Sequence, residues 1–194
     1  QLGGCGIITA ALGFGGETAT ARVAVTESWD GSSWTEVGDL NATRYGGGVG
    51  GAAGTQTAAL FFGGYTTEFS ASNESWNGSA WTEVGDLNTA REAVAGLGLQ
   101  PAALAVGGNV PARTGATELW DGSSWTEVAD LNDARSDVGS SGITTAGLVF
   151  GGNSPGVSTN TEEWNGTAWT EVNNISTARS QLAGDGTGTN ALAA

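Results

Sequence analysis

Histidine, lysine and methionine are absent from this 194-residue sequence, and cysteine occurs once, at Cys5. Without histidine there is no Ser-His-Asp or Cys-His nucleophile system, and the commonest metal ligand is missing. One cysteine permits no intrachain disulfide and makes no zinc site by itself. A lone thiol in a glycine-rich stretch reads as a small packed residue. All six cations are arginines, set against 20 carboxylates, which gives a formal net charge of −14. Such a surface repels nucleic acid and anionic membrane, because both are bound through basic patches that displace counterions. Acidity of this degree mainly supports solubility. No apolar run approaches the ~20 residues that span a bilayer, and no basic-then-apolar leader is visible. With no methionine anywhere, the sequence reads as processed or as part of something longer. No catalytic residue, metal or cofactor is assigned, and neither nucleic acid nor membrane insertion is expected.

What is present is a repeat. Near-copies of "WDGSSWTEVGDL" begin at Trp29, Trp76, Trp120 and Trp164, and together they hold all eight tryptophans. Gly-Gly pairs begin at Gly15, Gly63, Gly107 and Gly151, spaced 48, 44 and 44. An arginine closes each unit at a constant offset from its first tryptophan, at Arg44, Arg91, Arg135 and Arg179. The longer first interval falls mostly in the glycine-rich "GGGVGGAAG" from Gly46, where an enlarged loop costs little.

Each period carries four strand candidates, shown by the third: a small apolar strand such as "EAVAGL", then "AALAVGG", "ATELW" and "SWTEVADL". Asp-Gly or Asn-Gly lies between the last two in every copy and favours a tight hairpin. No window combines apolar residues at 3.6 spacing with cap signals, so no long helix is expected. Four strands in about 44 residues is the arithmetic of a β-propeller blade; a parallel β-solenoid with double-length coils competes. The fold class is thus all-β, a single domain over residues 1–194. Its units are about 1–44, 45–91, 92–135 and 136–179, with a half blade at 180–194.

These features resemble kelch repeats: an apolar strand ending in Gly-Gly, a spacer, an aromatic, a second tryptophan at Trp34, Trp81, Trp125 or Trp169, and a closing Leu-x-x-x-Arg ("LNATR", "LNTAR", "LNDAR"; "ISTAR" in the last). The resemblance covers the whole chain. It departs in having Trp as the first aromatic, where kelch repeats usually show Tyr. The Gly/Ala-rich form also looks, more loosely, like repeat arrays of marine phage and bacterial proteins. Kelch-like copper oxidases need His, Tyr and Cys ligands together, so that activity does not carry over to a chain without histidine.

How a ring would close stays open. Four blades closing with the extra strand pair spliced in, five blades lacking a hairpin, and a half blade completed by a partner chain are all consistent with the count. Small inner side chains favour the tight four-bladed ring.

Most carboxylates repeat with the blade. Glu27, Glu74, Glu118 and Glu162 precede the first Trp by two residues, and Glu36, Glu83, Glu127 and Glu171 follow the second by two. A catalytic acid is needed once, so a residue needed in every blade reads as frame, pairing with an arginine of its own or a neighbouring blade. Asp39, Asp86, Asp130 and Asn174 read as turn caps rather than calcium ligands. The tryptophan pairs read as filler between sheets. The segments after Gly-Gly do not repeat, and binding is usually built on such loops. Glu17, Arg22, Tyr65, Phe69, Asn109 and Arg113 are the expected contact surface. The expected role is a non-enzymatic structural or protein-interaction propeller on a virion, appendage or secreted surface, with a protein or glycan partner and possible self-association through the half blade. A carbohydrate- or receptor-binding propeller is the alternative. A glycosidase built on non-repeated carboxylates such as Glu17, Glu68, Asp137 or Glu163 ranks last.

Overall fold

Every unit folds as the alternation of its sequence dictates, into an antiparallel sheet whose first two strands are small and apolar and whose last two carry the tryptophans. The computed structural model describes residues 2–46, 52–187 and 189–193. Most of the glycine-rich insert expected to absorb the longer first interval, residues 47–51, lies outside these.

The first sheet is β1 (Gly3–Ile7), β2 (Ala10–Phe14), β3 (Thr26–Trp29) and β4 (Trp34–Glu36), paired in that order. The second is β5 (Ala52–Thr55), β6 (Ala58–Phe62), β7 (Asn73–Trp76) and β8 (Trp81–Val84). The third has β9 (Ala95–Leu99) and β10 (Ala102–Val106), a separate small hairpin of β11 (Asn109–Val110) and β12 (Ala112–Arg113), then β13 (Thr117–Trp120) and β14 (Trp125–Glu127). The fourth repeats this with β15 (Gly139–Ile143), β16 (Ala146–Phe150), the hairpin β17 (Asn153–Ser154) and β18 (Gly156–Val157), β19 (Thr161–Trp164) and β20 (Trp169–Val172). A fifth sheet has two strands, β21 (Gly184–Thr187) and β22 (Asn190–Ala193). The ladders are all antiparallel, which a parallel solenoid is not. Inner strands β1, β5, β9, β15 and β21 succeed one another in contact and together line one cavity of about 710 Å³. Among the described residues no strand pairing joins the fifth sheet to the first.

The tryptophans of each pair divide the work. The first ties its own sheet together: the indole N–H of Trp29, Trp76, Trp120 and Trp164 donates to the carbonyl of Ile8, Gln56, Gln100 and Thr144 at the inner hairpin, at 2.9–3.0 Å. The second reaches the preceding sheet. Trp81 packs edge-on against Phe14 at 4.8 Å and donates to Thr26 Oγ1 at 2.9 Å. Trp125 packs on Phe62 at 4.8 Å, and Trp169 donates to Thr117 Oγ1 at 3.2 Å. Asn73 stands where the neighbouring units have Thr26 and Thr117, and both its Oδ1 and the Trp125 indole N–H are buried without a partner. A buried unpaired polar atom costs about 1–3 kcal/mol. Asn73→Thr is therefore expected to raise stability by about 1 kcal/mol, or about 2–4 °C by scanning calorimetry. The substitution gives up the Asn73 bond to the carbonyl of Gly85, an exposed residue.

Between the two tryptophans the chain turns tightly. Asp30 Oδ1 accepts the N–H groups of Ser32 and Ser33, and Asn77, Asp121 and Asn165 act alike. These bonds, led by that from Ser33, bring the Asp30 carboxyl down to about 2. The Gly-Gly pair seats the backbone of the closing arginine. Gly63 sits at φ +68°, a side chain there would meet the Arg91 carbonyl oxygen at 2.7 Å, and Gly64 N–H donates to that same oxygen at 2.9 Å. Asp39, Asp86, Asp130 and Asn174 each accept the first N–H of their own strand three, from Thr26, Asn73, Thr117 and Thr161.

The arginines join each sheet to the next one. Arg44, Arg91 and Arg135 are buried and meet Glu74, Glu118 and Glu162 at 3.1, 2.9 and 2.7 Å. Arg91 and Arg135 also donate to backbone carbonyls of the next unit, at Gly107 and Ala116, and at Gly151 and Asn160. The other oxygen of each glutamate accepts both the backbone and the side-chain amide N–H of Asn41, Asn88 or Asn132. The motif Asn-x-x-Arg thus grips one carboxylate of the following sheet. Burial pulls the Arg44 and Arg91 guanidinium values below the ordinary one, and the facing glutamates push back. Arg179 and Glu27, the same residues at the two ends of the series, are exposed.

A second link runs through the residues two past each arginine. Gly46, Ala93, Asp137 and Gln181 all take positive φ. Ala93 N–H donates to Gly46 C=O, Asp137 to Ala93 at 3.3 Å, and Gln181 to Asp137 at 2.9 Å.

Candidate functional site

The residue after each arginine pairs with the residue after the next unit's Gly-Gly: Tyr45 with Tyr65, Glu92 with Asn109, Ser136 with Asn153. The variable loops and the arginine-bearing connections therefore share one face, a frame-supported surface on which the units differ.

The expected contact residues fall into short-range pairs there. Glu17 bridges Arg22, Tyr65 bridges Phe69, and Asn109 lies opposite Arg113 across β11 and β12. Arg22, Tyr65 and Phe69 also join into one half-buried cluster. The Arg22 guanidinium lies 5.1 Å from the Tyr45 ring centroid and 5.3 Å from that of Tyr65. Tyr45 and Tyr65 stand 5.8 Å apart, and Tyr65 meets Phe69 edge-on at 5.7 Å. The cluster straddles the first two units, and such a cation over aromatic faces is worth about 0.5–1 kcal/mol at an accessible site. Asn109 and Arg113 make a second group on the third unit. Tyr45 escapes a sequence reading because it belongs to the connection, not to a post-Gly-Gly loop; the signal available is that the chain's two tyrosines follow Arg44 and Gly64 directly.

The non-repeated carboxylates are dispersed. Glu17 lies in the first loop, Glu68 in the second, Glu163 on an exposed position of β19. Asp137, in the connection before β15, accepts from Ser136 and from the Asn153 side chain at 3.0 and 3.1 Å. It acts on Glu92 of the preceding connection, whose carboxyl is held above its ordinary value, first by burial and then by the charge of Asp137. A carboxyl raised on folding adds stability fully below its unfolded value, and that contribution is lost as pH rises through the folded one. At pH 7 the charged Glu92 is thus a liability. Glu92→Gln is expected to melt higher than the parent at pH 7, with the gap closing as the pH falls toward 4; a gap that widens on acidification refutes the assignment.

Among the described residues no group of three or more His, Cys, Asp and Glu is placed to hold a metal. In the central cavity Cys5 donates its thiol to the Thr55 carbonyl at 3.4 Å, and burial pushes that thiol up to about 12. At neutral pH it is protonated and a poor nucleophile.

No protein-family model matches the sequence, and comparison with curated proteins finds no significant match.

Proposed function

We propose that the chain is a kelch-like β-propeller with five blade positions, four of them filled, and that it works as a non-enzymatic structural or protein-interaction module at a virion, appendage or secreted surface. The observation that carries the reading is the contrast between frame and face. The Asn-x-x-Arg grip on glutamate recurs at three successive interfaces, while the loops above it carry an aromatic–arginine cluster across the first two units and a hairpin bearing Asn109 and Arg113 in the third. Five inner strands around one cavity support the blade count. The half-buried rings of Tyr45, Tyr65 and Phe69 give the carbohydrate- or receptor-binding alternative its support, since sugars stack on such faces.

A photo-crosslinking residue placed at Phe69 or Arg113, and in a control at Glu163 on β19, tests the proposal in material from the source. A protein adduct formed from the loop-face positions and not from Glu163 is the expected result. Retention on a glycan array that Tyr65→Ala abolishes would transfer the assignment to the carbohydrate reading. Turnover of a chromogenic glycoside would overturn both.

A further inference from the structure

We propose that the gap between the fifth sheet and the first is a docking site for a single occupant: a polypeptide segment with the repeat's own outer-half pattern, Gly-Gly, then Thr-Glu-x-Trp, an Asx-Gly turn, Trp-Thr-Glu, and a closing Arg. The proposal rests on the five-position arrangement above and is independent of what the loop face binds.

The three complete interfaces supply the rules, and most are half met at the gap; the exception is the gripping asparagine, which is Ser176 ahead of Arg179. The second tryptophan of a sheet is buried by the preceding sheet, as Trp81, Trp125 and Trp169 are at 5–6% exposure; Trp34 is 51% exposed. Among the described residues its indole N–H meets no threonine of the kind that Thr26 and Thr117 provide to Trp81 and Trp169. Strand two pairs on both sides in the four complete sheets, whereas among the described residues the one strand that β22 ladders with is β21. Leu192 on β22 occupies the position of Leu12, Leu60 and Leu104; those are 0–2% exposed and Leu192 is 68%.

Charge follows the same pattern. Arg179 is exposed where Arg44, Arg91 and Arg135 are buried on a glutamate. Glu27 and Glu36 lie directly opposite one another on β3 and β4, both exposed. The equivalent carboxylates Glu74 and Glu83 share the field of Arg44. Two like charges facing across a ladder repel, and one guanidinium relieves both. The gap thus presents a cation at one wall, a carboxylate pair at the other, an open strand edge and an uncovered indole. A segment carrying Thr, Glu and a terminal Arg at repeat spacing satisfies all of them: its strand extends β22, its Glu takes Arg179, its Thr takes Trp34 and its Arg takes Glu27. This is strand addition, with backbone bonds giving affinity and side-chain pairs giving specificity.

The chain's own segment Gly151–Arg179 contains that pattern, with Thr161, Glu162, Trp169 and Arg179 in order. A synthetic peptide of this sequence, added to the full chain, is expected to bind one to one by calorimetry and to protect Trp34 from acrylamide. Glu27→Gln and Trp34→Ala in the chain, both at exposed positions that leave the fold intact, are each expected to weaken binding at least tenfold. In parallel, the same segment is appended directly after Ala194. The extended chain is expected to melt several degrees higher, and the gain should vanish when its added closing Arg is changed to Ala. Either gain carries the proposal. No peptide binding at high micromolar concentration, together with an extended chain that melts no higher, overturns it. So does a parent chain that sediments as a dimer with Trp34 already protected, since a second copy then fills the gap. Loss of the loop-face adducts would bear on the proposed function alone.

Discussion

Arg135→Ala is expected to lower stability by about 3–5 kcal/mol, the cost of leaving a buried charge without its partner. For a chain of this size that is about 10 °C of melting temperature. Arg135 has no solvent exposure, meets Glu162 at 2.7 Å and satisfies the carbonyls of Gly151 and Asn160. Its removal leaves the Glu162 carboxylate with its Asn132 bonds but without a counter-charge, and takes a donor from each of the two carbonyls. Replacing Arg135 and Glu162 together by apolar residues should recover part of the loss, because desolvating the pair offsets much of its attraction. Arg179→Ala supplies the control: the arginine at the equivalent position, exposed and preceded by Ser176 where the other three have asparagine, so a change within about 0.5 kcal/mol. Equal losses for Arg135→Ala and Arg179→Ala in urea unfolding would show that the arginines do not work by gripping the next sheet.

The second large effect divides the tryptophans. Trp81→Ala is expected to cost about 3–5 kcal/mol, the range for deleting a buried aromatic. Its ring fills the space between the first two sheets, edge-on to Phe14 and bonded to Thr26. Trp34→Ala, at the matching position of the first sheet, is expected to cost less than about 1 kcal/mol, because half of its surface is already in water. Denaturant midpoints of the two variants measure the contrast. Comparable losses would mean that Trp34 is covered in solution.

The frame is readable from the sequence because the frame repeats. Period, strand count and the Asx-Gly turn all follow from residues that recur at fixed offsets, and four antiparallel sheets of four strands are what the structure has. Asp39, Asp86, Asp130 and Asn174, read as turn caps, instead hold the first N–H of strand three, 13 residues earlier. Repetition leaves the partner of each arginine open between its own and a neighbouring blade. Offsets of a whole period look identical in sequence, and only the fold selects the next blade. Sequence alone makes the tryptophan pairs filler in every unit alike. Six of the eight are buried, and Trp29 and Trp34 are not, because filling requires a neighbour and, among the described residues, no four-stranded sheet lies on that side of the first. On the loop face the individual residues are legible but their grouping is not. Arg22 meets Tyr45 from a different unit, through a contact of rings and charge that no periodicity encodes.

The forward reach of the arginines gives synthesis of the chain a timetable. Each guanidinium is matched by a glutamate that lies later in the chain: Glu74 for Arg44, Glu118 for Arg91 and Glu162 for Arg135. At ordinary ribosomal speeds of about 5–20 residues per second, each new blade waits some seconds before the residue that locks it exists. A nascent chain therefore always carries one unlocked blade at its growing end, and the newest blade is the one a chaperone or protease meets.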